Sequence, residues 1–162
     1  MSAKPAILLI EDNSADVKLA LHALRNAGVS TEIVVVRDGE EALEFVFATG
    51  KYADRDTDLS LKMILLDLKI PKVNGFEVLR ALKSSENTKA IPVIVLTSSN
   101  QDHDLRESYR LGANSYVQKP VDFDRFQELI TLIEQYWLRV NLLPPAAKAG
   151  DAATGGVLEK SK

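Results

Sequence analysis

Residues 63–77 read MILLDLKIPKVNGFE. Four apolar residues, Met63 to Leu66, run without a polar break, which predicts a strand buried on both faces. The run ends abruptly in Asp67. Pro71 and the Asn74-Gly75 pair then mark a turn, and Asn74 is positioned to cap a helix carrying Val78, Leu79 and Leu82. This is a strand, an acid, a loop and a helix: one βα unit, with a carboxylate at the strand's carboxyl end.

The same grammar repeats on both sides. Ala6–Ile10 predicts a first buried strand ending in Glu11-Asp12. A helix follows, capped at Asn13 or Ser14, with Val17, Ala20, Leu21, Leu24 and Ala27 at helical spacing and Gly28 as its stop. Ile33–Val36 is a β-branched strand. Asp38-Gly-Glu-Glu41 resembles a capping box and opens a helix carrying Leu43, Val46 and Phe47. Residues 50–61 form a polar connection. Ile91–Leu96 predicts a fourth strand, with Pro92 tolerated near its start. A mostly polar helix from Gln101 to Leu111 would be anchored by Leu105, Tyr109 and Leu111. Ser115–Gln118 is a short last strand, and Asp122 caps a final helix reaching about Val140.

Five alternating βα units imply an α/β fold: a doubly wound, flavodoxin-like (βα)5 parallel sheet in the order 2-1-3-4-5 with right-handed crossovers. The expected organisation is one domain over residues 1–143 and a flexible tail over 144–162, where Ala, Gly and Lys dominate.

Composition narrows the function classes. The 162 residues are 46% hydrophobic and 27% charged, with net charge −3 and no cysteine. Disulfides, thiol catalysis and cysteine-ligated metal are excluded. No basic patch suggests nucleic acid. No apolar stretch approaches the roughly 18 residues of a membrane span. No signal peptide is evident, so a cytoplasmic location is expected. Neither GxGxxG nor GxxxxGK[ST] is present; Gly39, Gly75 and Gly112 read as helix punctuation. His22 and His103 lack partners at ligand spacing and read as surface or packing residues.

In open α/β sheets, ligands bind beyond the carboxyl ends of the strands. There the chain places Glu11 and Asp12, then Asp67, then Thr97, then Lys119-Pro120. Three converging carboxylates repel one another, and a hard divalent cation relieves the conflict; oxygen donors favour Mg²⁺. Lys119 can hold a phosphate oxygen as a point charge, and Thr97 can donate a hydroxyl to another. Asp67 is then a candidate nucleophile for phosphoryl transfer. Each residue alone has a plainer reading as a cap, a turn or a surface charge; their joint occurrence at successive strand ends carries the argument.

With ILLIEDN, MILLDLKIPKVNGFE, VIVLTSS and GANSYVQKP in this order, the chain resembles the response-regulator receiver domains over about Ala6 to Val140. The resemblance implies Asp67 as phosphoacceptor for a sensor histidine kinase. It implies a Mg²⁺ site of Glu11, Asp12, Asp67 and the backbone carbonyl of Lys69. Lys119 would bind the phosphoryl group, a cis bond would join Lys119 to Pro120, and Thr97 and Tyr116 would form the switch pair. Such a protein is not an enzyme with a separate substrate; it catalyses only its own phosphotransfer and dephosphorylation.

Three other readings compete, one of them a degenerate, unphosphorylated receiver acting as an adaptor, which the complete set of site residues disfavours. A haloacid-dehalogenase-type phosphatase would carry DxD after the first strand, where this chain has Glu11-Asp12-Asn13. A flavodoxin-like cofactor binder is disfavoured because the loop after the first strand is acidic, which does not suit a phosphate without a metal. The tail is too short for a DNA-binding output domain.

The final helix carries two apolar stripes. Phe123, Phe126, Ile130, Ile133, Trp137 and Val140 form one; Leu129, Leu132, Tyr136 and Leu143 form the other. A single stripe suffices to dock on a sheet, so a homodimer through Leu129, Leu132, Tyr136, Trp137 and Leu143 is expected. The ending YWLRVNLLPP, Tyr136 to Pro145, is similar to that of stand-alone regulators associated with phytochrome-type histidine kinases.

Overall fold

The computed structural model describes residues 6–56 and 61–145. Residues 57–60 of the polar connection, and the expected tail from 146 onward, lie outside the described residues.

Five strands are short, and all but the last are almost wholly apolar: β1 (Ile7–Ile10), β2 (Ile33–Val36), β3 (Met63–Leu66), β4 (Val93–Thr97) and the more polar β5 (Ser115–Gln118). All neighbouring pairs are parallel, in the order β2-β1-β3-β4-β5. Alternation along the strands divides the core. Leu8, Ile10, Ile64, Leu66, Val93 and Val95 face α2 (Gly39–Phe47) and α3 (Gly75–Ser84). Ile7, Leu9, Met63, Leu65, Ile94 and Leu96 face α1 (Ser14–Asn26) and α5 (Phe123–Glu134).

The helix starts follow the capping residues. Asn13, Asp38, Asn74 and Asp122 each accept a backbone N–H from the first turn of α1, α2, α3 and α5. Each satisfies a donor that the helix geometry leaves unpaired.

Some expectations on the helices are corrected. In α2, Ala42, Phe45 and Val46 enter the core, while Leu43 is half-buried and Phe47 is exposed. The inward face is set by the start at Gly39, and Phe47 falls one step beyond it. α4 (Asp102–Arg110) buries only Ser108; Leu105 and Tyr109 are exposed, and the anchors are Leu111 and Ala113 beyond its end.

The final helix is α-helical only to Glu134, and Gln135–Val140 is π-helical. A π turn aligns residues five apart. Here it brings Arg139 onto the buried carboxylate of Glu134, and Asn141 N–H onto Tyr136 O at 2.6 Å. The first stripe is thereby divided. Phe126, Ile130 and Ile133 are buried and Trp137 packs half-buried against them, but Phe123 and Val140 are exposed.

The expected cis bond is also corrected. Lys119–Pro120 is trans, and no cis peptide bond occurs among the described residues. For X–Pro the isomers differ by only about 0.5–1 kcal/mol, so the dipeptide alone does not decide.

Gly39 and Gly75 do more than punctuate. A Cβ on Gly39 would lie 1.7 Å from Val73 O, and one on Gly75 would lie 2.5 Å from Leu68 Cα and 2.8 Å from Asp67 O. Gly39 N–H donates to Pro71 O at 3.1 Å, and Gly75 N–H to Leu68 O at 3.0 Å. Two helix starts thus close directly onto the loop after β3. With Leu68 and Ile70 buried in the same core, that loop has a fixed course beside Asp67.

No described helix is long and apolar enough to cross a membrane.

Candidate functional site

The parallel ladder continues one residue past the strands. Glu11 N–H donates to Val36 O at 3.0 Å, Asp67 N–H to Ile10 O at 3.1 Å, and Lys119 N–H to Thr97 O at 2.8 Å. The sheet itself therefore aligns Glu11, Asp67 and Lys119 at one edge. Glu11, Asp67 and Thr97 are buried there, and Asp12 is exposed.

Carboxylate oxygens of Glu11, Asp12 and Asp67 all lie within 4.8 Å of one another. Lys119 is their counter-ion. Its Nζ donates to Glu11 Oε1 at 2.6 Å, to Asp16 Oδ2 at 2.9 Å and to Asp67 Oδ2 at 3.2 Å. The second oxygens are held by the backbone: Asn13 N–H donates to Glu11 Oε2 at 3.2 Å, and Lys69 N–H to Asp67 Oδ1 at 3.3 Å.

The electrostatics fit an incomplete charge balance. Burial, aided by the charge of Asp67, pushes the Glu11 carboxyl up to about 7, against the pull of Lys119. Lys119 moves up as well: burial opposes its charge, but hydrogen bonds to Asp16 and Glu11 and the charge of Asp67 outweigh it. One ammonium does not offset four carboxylates. An all-oxygen donor set with surplus negative charge suits a hard divalent cation.

Beyond the charges lies a hydroxyl chain. Tyr116 is half-buried against the core and its hydroxyl donates to Ser99 O at 3.1 Å. Ser99 N–H reaches Thr97 Oγ1 at 3.5 Å, and Ser99 Oγ donates to Asp104 Oδ2 at 2.5 Å. Ser99 therefore connects Thr97, Tyr116 and α4.

Asp16 and Ser99 were missed by sequence reasoning. Asp16 reads as a first-turn acid that suits the helix dipole, and Ser99 as one more polar residue after a strand. His22 and His103 stand apart from the site; His22 contacts Asn26 and the ring of Phe123 on the α1/α5 side.

The response regulator receiver domain family matches residues 7–131. A relative named Probable methanogenesis regulatory protein FilR2, from Methanothrix harundinacea, is 40% identical over 87% of this chain and 88% of its own length. Response regulator Rcp1 from Synechocystis is 36% identical over 86% of this chain and 93% of its own. The solved Mn²⁺-bound form of Rcp1 superposes with a TM-score of 0.79, over 87% of this chain and 99% of that one, at 35% identity. The phosphorylated cyanobacterial phytochrome response regulator RcpA superposes with a TM-score of 0.80, at 40% identity, over 88% of this chain and all of that one.

Proposed function

The chain belongs to the response regulator receiver domain family, and from that membership we propose that Asp67 accepts a phosphoryl group from a phytochrome-type sensor histidine kinase. The observation that carries this reading is the meeting of Lys119 Nζ with Glu11 and Asp67 at the sheet edge.

In the step, an Asp67 carboxylate oxygen attacks the phosphorus of a phosphohistidine. An O–P bond forms, the N–P bond breaks, and its electron pair returns to the imidazole. Such transfer depends on positioning and charge neutralisation more than on covalent help from the protein. Mg²⁺, held by Glu11, Asp12, Asp67 and the backbone carbonyl of Lys69, would neutralise charge on the phosphoryl oxygens. Lys119 supplies an ammonium donor and Thr97 a hydroxyl. Movement of Thr97 toward the phosphoryl group would pull on Ser99 and so on Tyr116, altering the surface at β5 and α4. The test is acid-labile labelling of the protein by a small acyl phosphate with Mg²⁺, with Asp67→Asn as the decisive variant.

Metal affinity should depend on pH in a defined direction. Burial pushes the Glu11 carboxyl up to about 7, and a proton there competes with the cation. Apparent Mg²⁺ affinity is therefore expected to rise as pH increases toward about 7, by at most ~10-fold per pH unit, and to level off above it. Titration calorimetry at several pH values reads this directly. Affinity that is flat across that range would separate Glu11 from the metal.

We also assign self-association to the final helix, in a protein acting in the cytoplasm through protein partners. Leu132 is 64% exposed and Tyr136 49% exposed, beside the half-buried Leu129, Trp137 and Leu143. Val140 and Leu142 extend the exposed apolar surface. Leu132→Glu with Tyr136→Glu should convert a dimer to a monomer on a sizing column. A wild-type protein that elutes as a monomer at all concentrations would remove the homodimer from the proposal.

A further inference from the structure

Lys119 has three N–H donors, and all three are engaged by Glu11, Asp16 and Asp67. A phosphoryl oxygen can gain this ammonium only by displacing one of them. The three carboxylates are not equivalent. Glu11 and Asp67 belong to the group whose oxygens could hold one cation, and Asp16 does not. A bound divalent cation draws on the charge of Glu11 and Asp67 and weakens their hold on Lys119. It leaves Asp16 unoffset. Asp16 also differs in placement, since it sits in the first turn of α1 with its side chain 37% exposed, while those of Glu11 and Asp67 are 4% and 10% exposed.

We propose that Asp16 is a positioning residue that holds Lys119 on the α1 side of the site and competes with the phosphoryl group for its ammonium. It thereby limits occupancy of the phosphorylated state. Two features favour competition over simple support. A residue that only steadied Lys119 would not need a full charge. The hydrogen bonds from Lys119 to Asp16 and to an incoming phosphoryl oxygen also bring two anions close together across one nitrogen. The backbone placement of Asp16 is independent of this pairing, because Asp16 N–H is capped by Asn13 Oδ1 at 2.9 Å. Its charge can therefore be removed without dismantling the helix start.

This inference rests on Asp67 being the phosphoacceptor, and the experiment keeps the two apart. Trifluoroberyllate, a tetrahedral phosphoryl mimic that coordinates a carboxylate oxygen, is titrated into the full chain at saturating Mg²⁺. Asp16→Asn and Asp16→Ser are expected to bind it about fivefold more tightly than wild type, the size expected for losing ~1 kcal/mol of ion-pair competition. Asp16→Glu, which restores the charge, is expected to return toward wild-type affinity. A merely structural role would not tighten binding in both neutral variants and reverse in the charged one. Equal or weaker binding by the neutral variants overturns the role of Asp16. Wild-type protein that binds no trifluoroberyllate overturns the phosphoacceptor assignment itself.

Discussion

Asp67→Asn is expected to abolish acid-labile phosphorylation altogether while leaving the fold intact. The carboxamide oxygen lacks the negative charge that makes the carboxylate a nucleophile. Geometry alone cannot compensate, because the amide side chain would occupy the same place at the end of β3. The backbone bond from residue 67 to Ile10 O does not involve the side chain. The local charge balance improves, since one of the groups that raises the Glu11 carboxyl is removed. Lys119 keeps Glu11 and Asp16 as partners. The carboxamide keeps only one of the two oxygens that accept from Lys69 N–H and Lys119 Nζ, which offsets the relief of charge. The variant should therefore unfold in urea close to the wild-type midpoint. Labelling is measured with a small acyl phosphate and Mg²⁺, followed by acid treatment and phosphate-affinity electrophoresis. Undiminished labelling of Asp67→Asn would place the phosphoryl group elsewhere and end the assignment.

The parts of this molecule that were legible in the sequence are those fixed by period and punctuation. Strands β1, β3 and β4 are uninterrupted apolar runs, and Asn13, Asp38, Asn74 and Asp122 each begin a helix by a bond to a nearby backbone N–H. Glu11, Asp67, Thr97 and Lys119 were legible for the same reason: each stands where a strand stops.

What escaped depends on contacts between segments. The Asp16 side chain meets Lys119 across 103 positions of chain, and no local pattern encodes that distance. Gly39 and Gly75 look like ordinary helix starts until Val73 and Leu68 are seen against them. The exposure of Leu105 and Tyr109 follows from how α4 lies on β5, since a helix with few apolar residues gives its rotation no clear signal. The trans Lys119–Pro120 bond reflects a preference too small for the dipeptide to decide.

The π-helical turn was equally illegible, and it carries the second large expectation. The side chain of Glu134 is only 3% exposed, and its carboxylate accepts from Arg139 Nε. Removing one member of a buried pair strands the other charge, which typically costs about 3–5 kcal/mol. Arg139 itself is 58% exposed, so water can follow the truncated side chain inward. Lys62 also lines the cleft that holds both residues. Both effects place Arg139→Ala at the lower end, at about 3 kcal/mol of lost stability. The i, i+5 spacing adds a structural consequence. Without Arg139 the turn loses the contact that favours π over α geometry, and Trp137 and Leu138 lose their register against the core under α1 and α5. Adding Glu134→Gln should recover most of the loss, because a neutral amide is far cheaper to bury than a carboxylate. Urea denaturation of the two single variants and the double variant forms a closed cycle, with an expected coupling of about 2 kcal/mol. If Arg139→Ala alone lies within ~0.5 kcal/mol of wild type, the pair is no stronger than an exposed ion pair. The π turn would then have to be held by the packing of Trp137 and Leu138 instead.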